Sequence, residues 1–447
     1  MCKMAENMNS AINEGYYDEA VKLSGHGLYN WLALVACSII SCAVGLDMFG
    51  ISVVVAAARC DLKLGMQETG LLASAPLAGV LFAYPWGYFA DMHGRRKALL
   101  LSTSVGFLFA ALSSLSTSWQ VMLALKLIGC SFSTAAHTLT FTYLSECTGS
   151  EHRSQYIFIM NSINLGSEII YYGLAYFILP LSFNMPIPWL SIVYNSWRLY
   201  VLVLALPLGV GAVMMFFLEE SPRFLANMGQ TDKALESLKK IYKINGGKKD
   251  EFPVKYLKNV DVKVEESFWG SLVKQTIPLF KPPLLFRTLQ LFFLMTVCCA
   301  TNNVFMMWFA TAVNMFFNSG NNSIDNIGFC QRIANYVTVA TFNTTSDSVI
   351  CDSAISLNAI YSGVGLGIVL MVLNLSAATF AKHRRLVLIK FLLVPCLSCV
   401  LVGVLEQPLA RLIFFTLIQT SSIGIGHIAS YFVDFYPTSY RYFCCVL

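Results

Sequence analysis

Long apolar runs dominate the chain, and short polar breaks separate them. A helix that crosses a bilayer takes about 20 apolar residues. Ten stretches reach that length: about Asn30–Ala57, Thr69–Tyr88, Ala98–Leu115, Trp119–Leu144, Tyr156–Leu179, Leu199–Leu218, Phe286–Phe309, Leu357–Phe380, Leu386–Leu405 and Leu409–Phe435. The longer ones must tilt or emerge into the headgroups. The pattern therefore divides the chain into a polar tail (1–29), six spans (30–218), a polar linker (219–285), four spans (286–441) and an atypical end (442–447). A polar loop, 314–356, separates the seventh and eighth spans. Inside the linker, Leu235, Leu238, Ile241 and Tyr242 recur at helical spacing. Thr231 and Asp232 offer an amino-terminal cap, and Gly246 and Gly247 a stop. The expected element is an amphipathic helix lying on the bundle.

Composition sharpens the class. Only 12% of the 447 residues are charged, and the mean hydropathy is +0.62. A soluble domain carries about 25% charged residues, so the fold class is an all-α polytopic membrane protein. The net charge of +5 does not point to nucleic acid, because the basic residues sit in short loops. With the amino terminus inside, the inside loops hold Arg95, Arg96, Lys97, Arg153, Lys382, Arg384, Arg385 and the segment from Arg223 to Arg287. The outside loops hold little beyond Arg59, Lys63 and Arg332. That asymmetry predicts a cytoplasmic amino terminus. The tail has no cleavable signal pattern, so the first span also targets the chain.

The 314–356 loop then faces outward, in the plasma membrane or a vesicle membrane. It carries two glycosylation acceptors, at Asn321 and Asn343. A third match, Asn374-Leu375-Ser376, falls inside the eighth span and should be unused. Cys330 and Cys351 share the loop, as a disulfide or as two free thiols. Most of the 14 cysteines lie in apolar runs, as Cys298 and Cys299 do, and read as packing residues. No His/Cys set has zinc spacing, and no phosphate loop or nucleophile–base set occurs. The expectation is no metal, no cofactor and no enzyme.

The stretch Gly87 to Lys97 reads Gly-Tyr-Phe-Ala-Asp-Met-His-Gly-Arg-Arg-Lys, after the second of many spans. It resembles the signature loop of the major facilitator superfamily. Glu219-Glu220-Ser221-Pro222-Arg223-Phe224-Leu225 resembles the motif that follows span six in the sugar-transporter-like branch, with Glu219 where a proline usually stands. Glu146 and Arg153 resemble the E-x₆-R motif after span four, and Trp197-Arg198 the W-R that opens span six. Asp434-x-Tyr436-Pro437-Thr438-x-x-Arg441 resembles the end of span ten, with Asp434 for a glutamate. Gly45 to Ser52 and Ser221 to Gly246 are most similar to the synaptic vesicle glycoprotein group and its insect homologues. The resemblance implies a bundle of two helical halves, here with ten spans (six and four) where members have twelve. It also implies a cytoplasmic gate of Gly87, Asp91, Gly94, Arg95, Arg96, Glu146, Arg153, Glu220 and Arg223. In such a gate, ion pairs break and reform as the halves rock. The match fades after Arg441, and Cys444 to Leu447 formally fits a prenylation box. The expectation is a truncated form, unstable or inactive alone, of a longer transporter.

Charges inside spans are costly and mark function by default. Three stand out: Asp47, Lys126 and Glu168. At 1.5 Å per residue, Asp47 lies about 25 Å and Glu168 about 18 Å from the inner ends of their spans, and Lys126 about 20 Å up. Asp47 and Lys126 are therefore able to pair across a central cavity, for transport or merely to lock the bundle. His137, Asn161, Asn164, Asn302 and Asn303 are candidates to bond a polar solute or neighbouring helices. Trp308 is a candidate to stack on a solute or to sit at the lipid interface. The expected function is secondary transport of a small organic solute, an organic ion included, by alternating access, with proton coupling through Asp47 or Glu168. The alternative is a transport-silent membrane protein that acts through protein partners.

Overall fold

The computed structural model describes residues 14–247, 252–258, 277–282, 284–318, 355–379, 384–405 and 407–435, with residues 270 and 273. Strand β1 (Glu14–Tyr16) leads into helix α1 (Tyr17–Leu23). Helix α2 (Leu28–Phe49) continues through Gly50 into α3 (Ile51–Ala57). Helices α4 (Met66–Gly79) and α5 (Ala83–His93) make a rod bent by 43°. Pro76 lies inside α4, and a proline interior to a helix weakens its ladder. Helix α6 spans Arg95–Ser113 and α7 spans Trp119–Cys147. The fifth rod is α8 (Ser150–Leu165) and α9 (Ser167–Ile178), broken at Gly166. The hairpin β2 (Met185–Ile187) and β3 (Ile192–Tyr194) joins it to α10 (Ser196–Phe217).

Two further helices begin the linker: α11 (Pro222–Asn227) and α12 (Thr231–Ile244). Strand β4 (Tyr256–Lys258) follows. The second half has α13 (Leu285–Asn318), α14 (Leu357–Thr379), α15 (Arg384–Val404), α16 (Pro408–Ile418) and α17 (Ser421–Phe435). Each of the ten expected spans has a helical rod among the described residues. By length and apolarity seven helices are able to cross a bilayer, or eight if the bent pair is one span. The fifth and tenth rods fall short because breaks at Gly166 and at Gln419–Thr420 divide them.

Two local readings change. Residues 14–27 are not a free polar tail. Strand β1 pairs in parallel with β4, Glu14 opposite Tyr256, and Ala20 and Val21 pack with Leu238, Phe252 and Val254. Thr231 is the first helical residue of α12 and not its cap; Gln230 stands there without a side-chain cap bond. The helix stops where expected, at Asn245 and Gly246, whose φ is +103°. Asn374 lies inside α14. Asn321, Asn343, Cys330, Cys351, Tyr436 to Arg441 and Cys444 to Leu447 lie outside the described residues.

In lipid, apolar side chains gain little by leaving the solvent, so small residues that let backbones approach hold spans together. A Cβ on Gly79 of α4 would stand 2.8 Å from the Cys130 backbone of α7. Across the two halves, one on Gly363 of α14 would stand 2.4 Å from the Tyr172 ring of α9, and one on Gly367 would stand 3.0 Å from the Ile169 nitrogen. A buried cluster including Val54, Leu72, Tyr171, Met306, Phe309 and Leu366 spans this seam.

Candidate functional site

The Gly87–Lys97 stretch forms the turn between α5 and α6. Gly94 makes the turn with a φ of +110°, a conformation that L residues with a side chain rarely adopt. Its open side is filled by Glu220, whose Oε2 would stand 2.4 Å from a Cβ there. The Glu220 carboxylate accepts from the Arg96 nitrogen at 2.8 Å and the Ser221 nitrogen at 3.0 Å. It therefore sits at the amino end of α6, where free N–H groups favour an anion. Arg95 is buried and pairs with Asp91 at 2.7 Å and with Glu146 at 3.1 Å. Ser221 donates to the same Glu146 carboxylate at 2.5 Å and caps α11 by accepting from the Phe224 nitrogen. Arg96 reaches the carbonyls of Met215 and Phe216 at the end of α10.

Asp91, Gly94, Arg95, Arg96, Glu146 and Glu220 are thus brought together, and Gly87 is buried one turn before Asp91. Arg153 and Arg223 are not part of the cluster. Among the described residues, Arg153 donates only to the Thr148 carbonyl at 3.5 Å, and Arg223 lies over the Tyr17 ring at 5.8 Å. Glu146 meets Arg95 and Ser221, not Arg153, because Arg95 enters from the neighbouring rod. The Arg95, Arg96, Glu146, Glu220 and Ser221 contacts named here all lie within the first half or the linker that leaves it. They fasten the linker to the first half.

The tail reinforces that fastening. Tyr17 donates to the Glu146 carbonyl at 3.0 Å. Asn245, at the end of α12, accepts from the Tyr29 nitrogen at 3.0 Å and donates to Ser24 O, Gly25 O and Asn30 Oδ1 at 3.0 to 3.2 Å. Sequence spacing gave no hint of Asn245 or Ser221, because their partners lie far away in the chain.

Within the bundle, Asp47 on α2 and Lys126 on α7 form an ion pair of 2.5 Å. They are 3% and 4% exposed. The second Asp47 oxygen accepts from the Cys130 thiol at 3.5 Å, so both oxygens are engaged. The matching heights of the two residues made the pair legible; the helix rotations that close it came only with packing. His137 bonds Ser41 of α2 at 3.1 Å and meets Phe141 edge-on, which ties two helices. Asn161 is half-buried on α8. Asn302 donates weakly to Asn303 at 3.4 Å, and its own oxygen has no partner among the described residues. Trp308, half-buried, packs against Gly70 of α4, across the seam.

Glu168, in the first turn of α9, is 3% exposed. It forms no ion pair with a described residue. Sequence reasoning also passed over Tyr171 and Tyr172, buried beside it, and over Cys60. Cys60 is disulfide-bonded, and every other described cysteine is free, so its partner lies outside the described residues.

Three comparisons bear on this arrangement. The family model described as Major Facilitator Superfamily matches residues 37–442. Mouse synaptic vesicle glycoprotein 2B is 29% identical over 247 residues, which cover 54% of this chain and 36% of that protein. Mouse synaptic vesicle glycoprotein 2C is 30% identical over 233 residues, covering 51% and 32%. The match thus takes in about a third of the length of these relatives. The xylose transporter XylE from E. coli, in an inward-open conformation, superposes with a TM-score of 0.60 at 13% identity, covering 94% of this chain and 86% of that one.

Proposed function

The chain belongs to the major facilitator superfamily, and on that premise we propose that it is a secondary transporter moving a small polar organic solute by alternating access. The observation that carries this reading is the Asp47–Lys126 pair, buried between the first and fourth rods. Burying two opposite charges costs several kcal/mol per ion before their attraction is counted, and a well-packed apolar pair of similar volume is often as stable or more so. Stability alone therefore gives little reason to keep them. A solute that bears a charge or strong dipole parts the pair and takes the place of one partner. Asn302, Asn303 and His137 are the polar neighbours proposed to complete the pathway.

The Asp91–Arg95–Glu146 network is proposed to carry the linker with the first half as the two halves rock. Its face is assigned to the cytoplasm, with the amino terminus. The likeness to a xylose transporter supports the fold and leaves the solute open.

Reconstitution tests the reading. The full chain is placed in liposomes and screened with labelled sugars, amines, carboxylates and nucleosides, with and without a proton gradient. At least one solute is expected to accumulate. Asp47→Asn and Lys126→Met are each expected to abolish uptake while the protein stays monodisperse. If both variants transport like the parent, the pair is structural. If no solute moves, the chain acts instead through binding partners.

A further inference from the structure

Glu168 differs from Asp47 in having no described cation to balance it. Asp47 is neutralised by Lys126 and also holds the Cys130 thiol. The Glu168 carboxyl is 3% exposed, and its Oε2 has no hydrogen-bond partner among the described residues. The same holds for Asn164 Oδ1 and for the Tyr172 hydroxyl. Ser52 and Tyr171 lie near that hydroxyl, but neither meets hydrogen-bond geometry. Residues 164, 168 and 172 follow one another at four-residue spacing, Asn164 on α8 and the other two on α9 just beyond the break at Gly166.

Between them the three side chains meet both the first half and the second. A Cβ on Gly45 of α2 would stand 3.1 Å from Asn164 Oδ1. One on Gly367 of α14 would stand 3.1 Å from the Glu168 Cβ, and Gly363 abuts the Tyr172 ring. Glu168 and Tyr172 therefore stand at the seam where the two halves touch, and Asn164 stands one turn before Glu168 against α2.

Among the described residues, no cation is paired with them. Helix α2 brings Asp47, already paired, and α3 brings no charge. Helix α8 has Glu151, His152 and Arg153, but at its far end; Arg153 is eleven residues before Asn164, about 16 Å away along the axis. Helix α10 brings Tyr200, which donates to the Tyr171 carbonyl, and Arg198, which is held by the Ser114 and Ser116 carbonyls. Helix α13 carries Arg287 at its start and no other charge, and α14 carries only Tyr361, stacked on Tyr176. Helix α9 itself adds Tyr171, directed to Met306 Sδ.

An isolated carboxylate is too costly to bury, and each buried acceptor without a donor forfeits a bond. One positive charge bearing N–H or O–H groups corrects both. We propose that Glu168, with Asn164 and Tyr172, binds a single positive charge, supplied either by a proton or by the ammonium group of an organic cation. The proposal rests on the transport reading and deepens it, because proton and ammonium compete for one carboxyl and so exchange there. Entry requires α14 to part from α9, since Gly363 and Gly367 leave no room for a ligand between them.

The test uses the purified full chain in nanodiscs and readouts that need no transport. Methylammonium is the probe; an alkylamine keeps its charge below about pH 10. Infrared difference spectra between acid and alkaline pH are expected to show a protonated-carboxyl band that Glu168→Gln removes and Glu168→Asp retains. Saturating methylammonium is expected to remove the same band from the parent. Its apparent affinity should fall about tenfold per pH unit on the acid side, as competition for one site requires. In Glu168→Gln that affinity should be at least tenfold weaker and independent of pH. A band without methylammonium binding assigns the site to the proton; binding without a band assigns it to the organic cation. If Glu168→Gln keeps the band and the affinity, or if the parent shows neither, the proposal fails. Loss of solute uptake with both readouts intact counts against the transport reading instead.

Discussion

Gly94→Ala is the substitution whose cost follows most directly from the geometry. Two terms add. Gly94 has a φ of +110°, and an L residue there carries roughly 1–2 kcal/mol of backbone strain. The new Cβ would also stand 2.4 Å from Glu220 Oε2 and 2.9 Å from its Cδ. A carboxylate at the end of a flexible side chain usually moves away at little cost. This one is held by the Arg96 and Ser221 nitrogens, so moving it gives up an anion at a helix start, worth about 0.5–2 kcal/mol. The sum is about 1.5–4 kcal/mol. The assay is unfolding in nanodiscs, followed by the reactivity of the buried free thiols Cys37 and Cys147, on a four-variant cycle. Glu220→Ala removes the obstruction, so in that background Gly94→Ala should cost only the backbone term, leaving a coupling of about 1 kcal/mol. Gly70→Ala is the control, because a Cβ there meets only Trp308 at 3.4 Å. A Gly94→Ala cost within about 0.5 kcal/mol of that control, or strict additivity with Glu220→Ala, would refute the reasoning.

Three other outcomes are expected. Lys126→Met leaves Asp47 buried and uncompensated and should destabilise by about 3–5 kcal/mol; Asp47→Asn with Lys126→Met should recover most of that, and a single variant within about 1 kcal/mol of the parent would show that the pair is not buried in the working protein. Asn245→Ala removes four side-chain hydrogen bonds that join α12 to residues 24–30; limited proteolysis of the 14–27 segment should speed up about tenfold, the factor for about 1.4 kcal/mol, and an unchanged rate would mean the tail is held by its apolar contacts alone. Asn321→Gln with Asn343→Gln should abolish the shift in apparent mass caused by glycosidase in a glycosylating cell; unchanged mobility without any treatment would remove the support for an outward-facing loop.

The sequence by itself determined where the helical rods lie and where the chain turns. Backbone groups in lipid must be satisfied within the segment, so apolar length alone marks a helix, and all ten rods can be read that way. It also determined the α5–α6 turn, since two glycines around an aspartate, followed by basic residues, leave few conformations. The breaks at Gly166 and Gln419 were not legible, because a run that is apolar on every side looks continuous whether or not its ladder is. Partnership was less legible still. A helix apolar all round gives no sign of its rotation about its own axis, and that rotation decides which polar residue meets which. Asp47 and Lys126 lie 79 residues apart; their equal heights were countable, but only the packing of α2 on α7 turned them together. The E-x₆-R spacing placed Arg153 beside Glu146 in sequence, while the rods delivered Arg95 and Ser221 in its stead. The polar tail looked free until β4 offered it an edge. Glu168 was visible as a charge, yet its lack of a described cation is a property of six neighbouring elements at once, and only the tertiary structure holds that information.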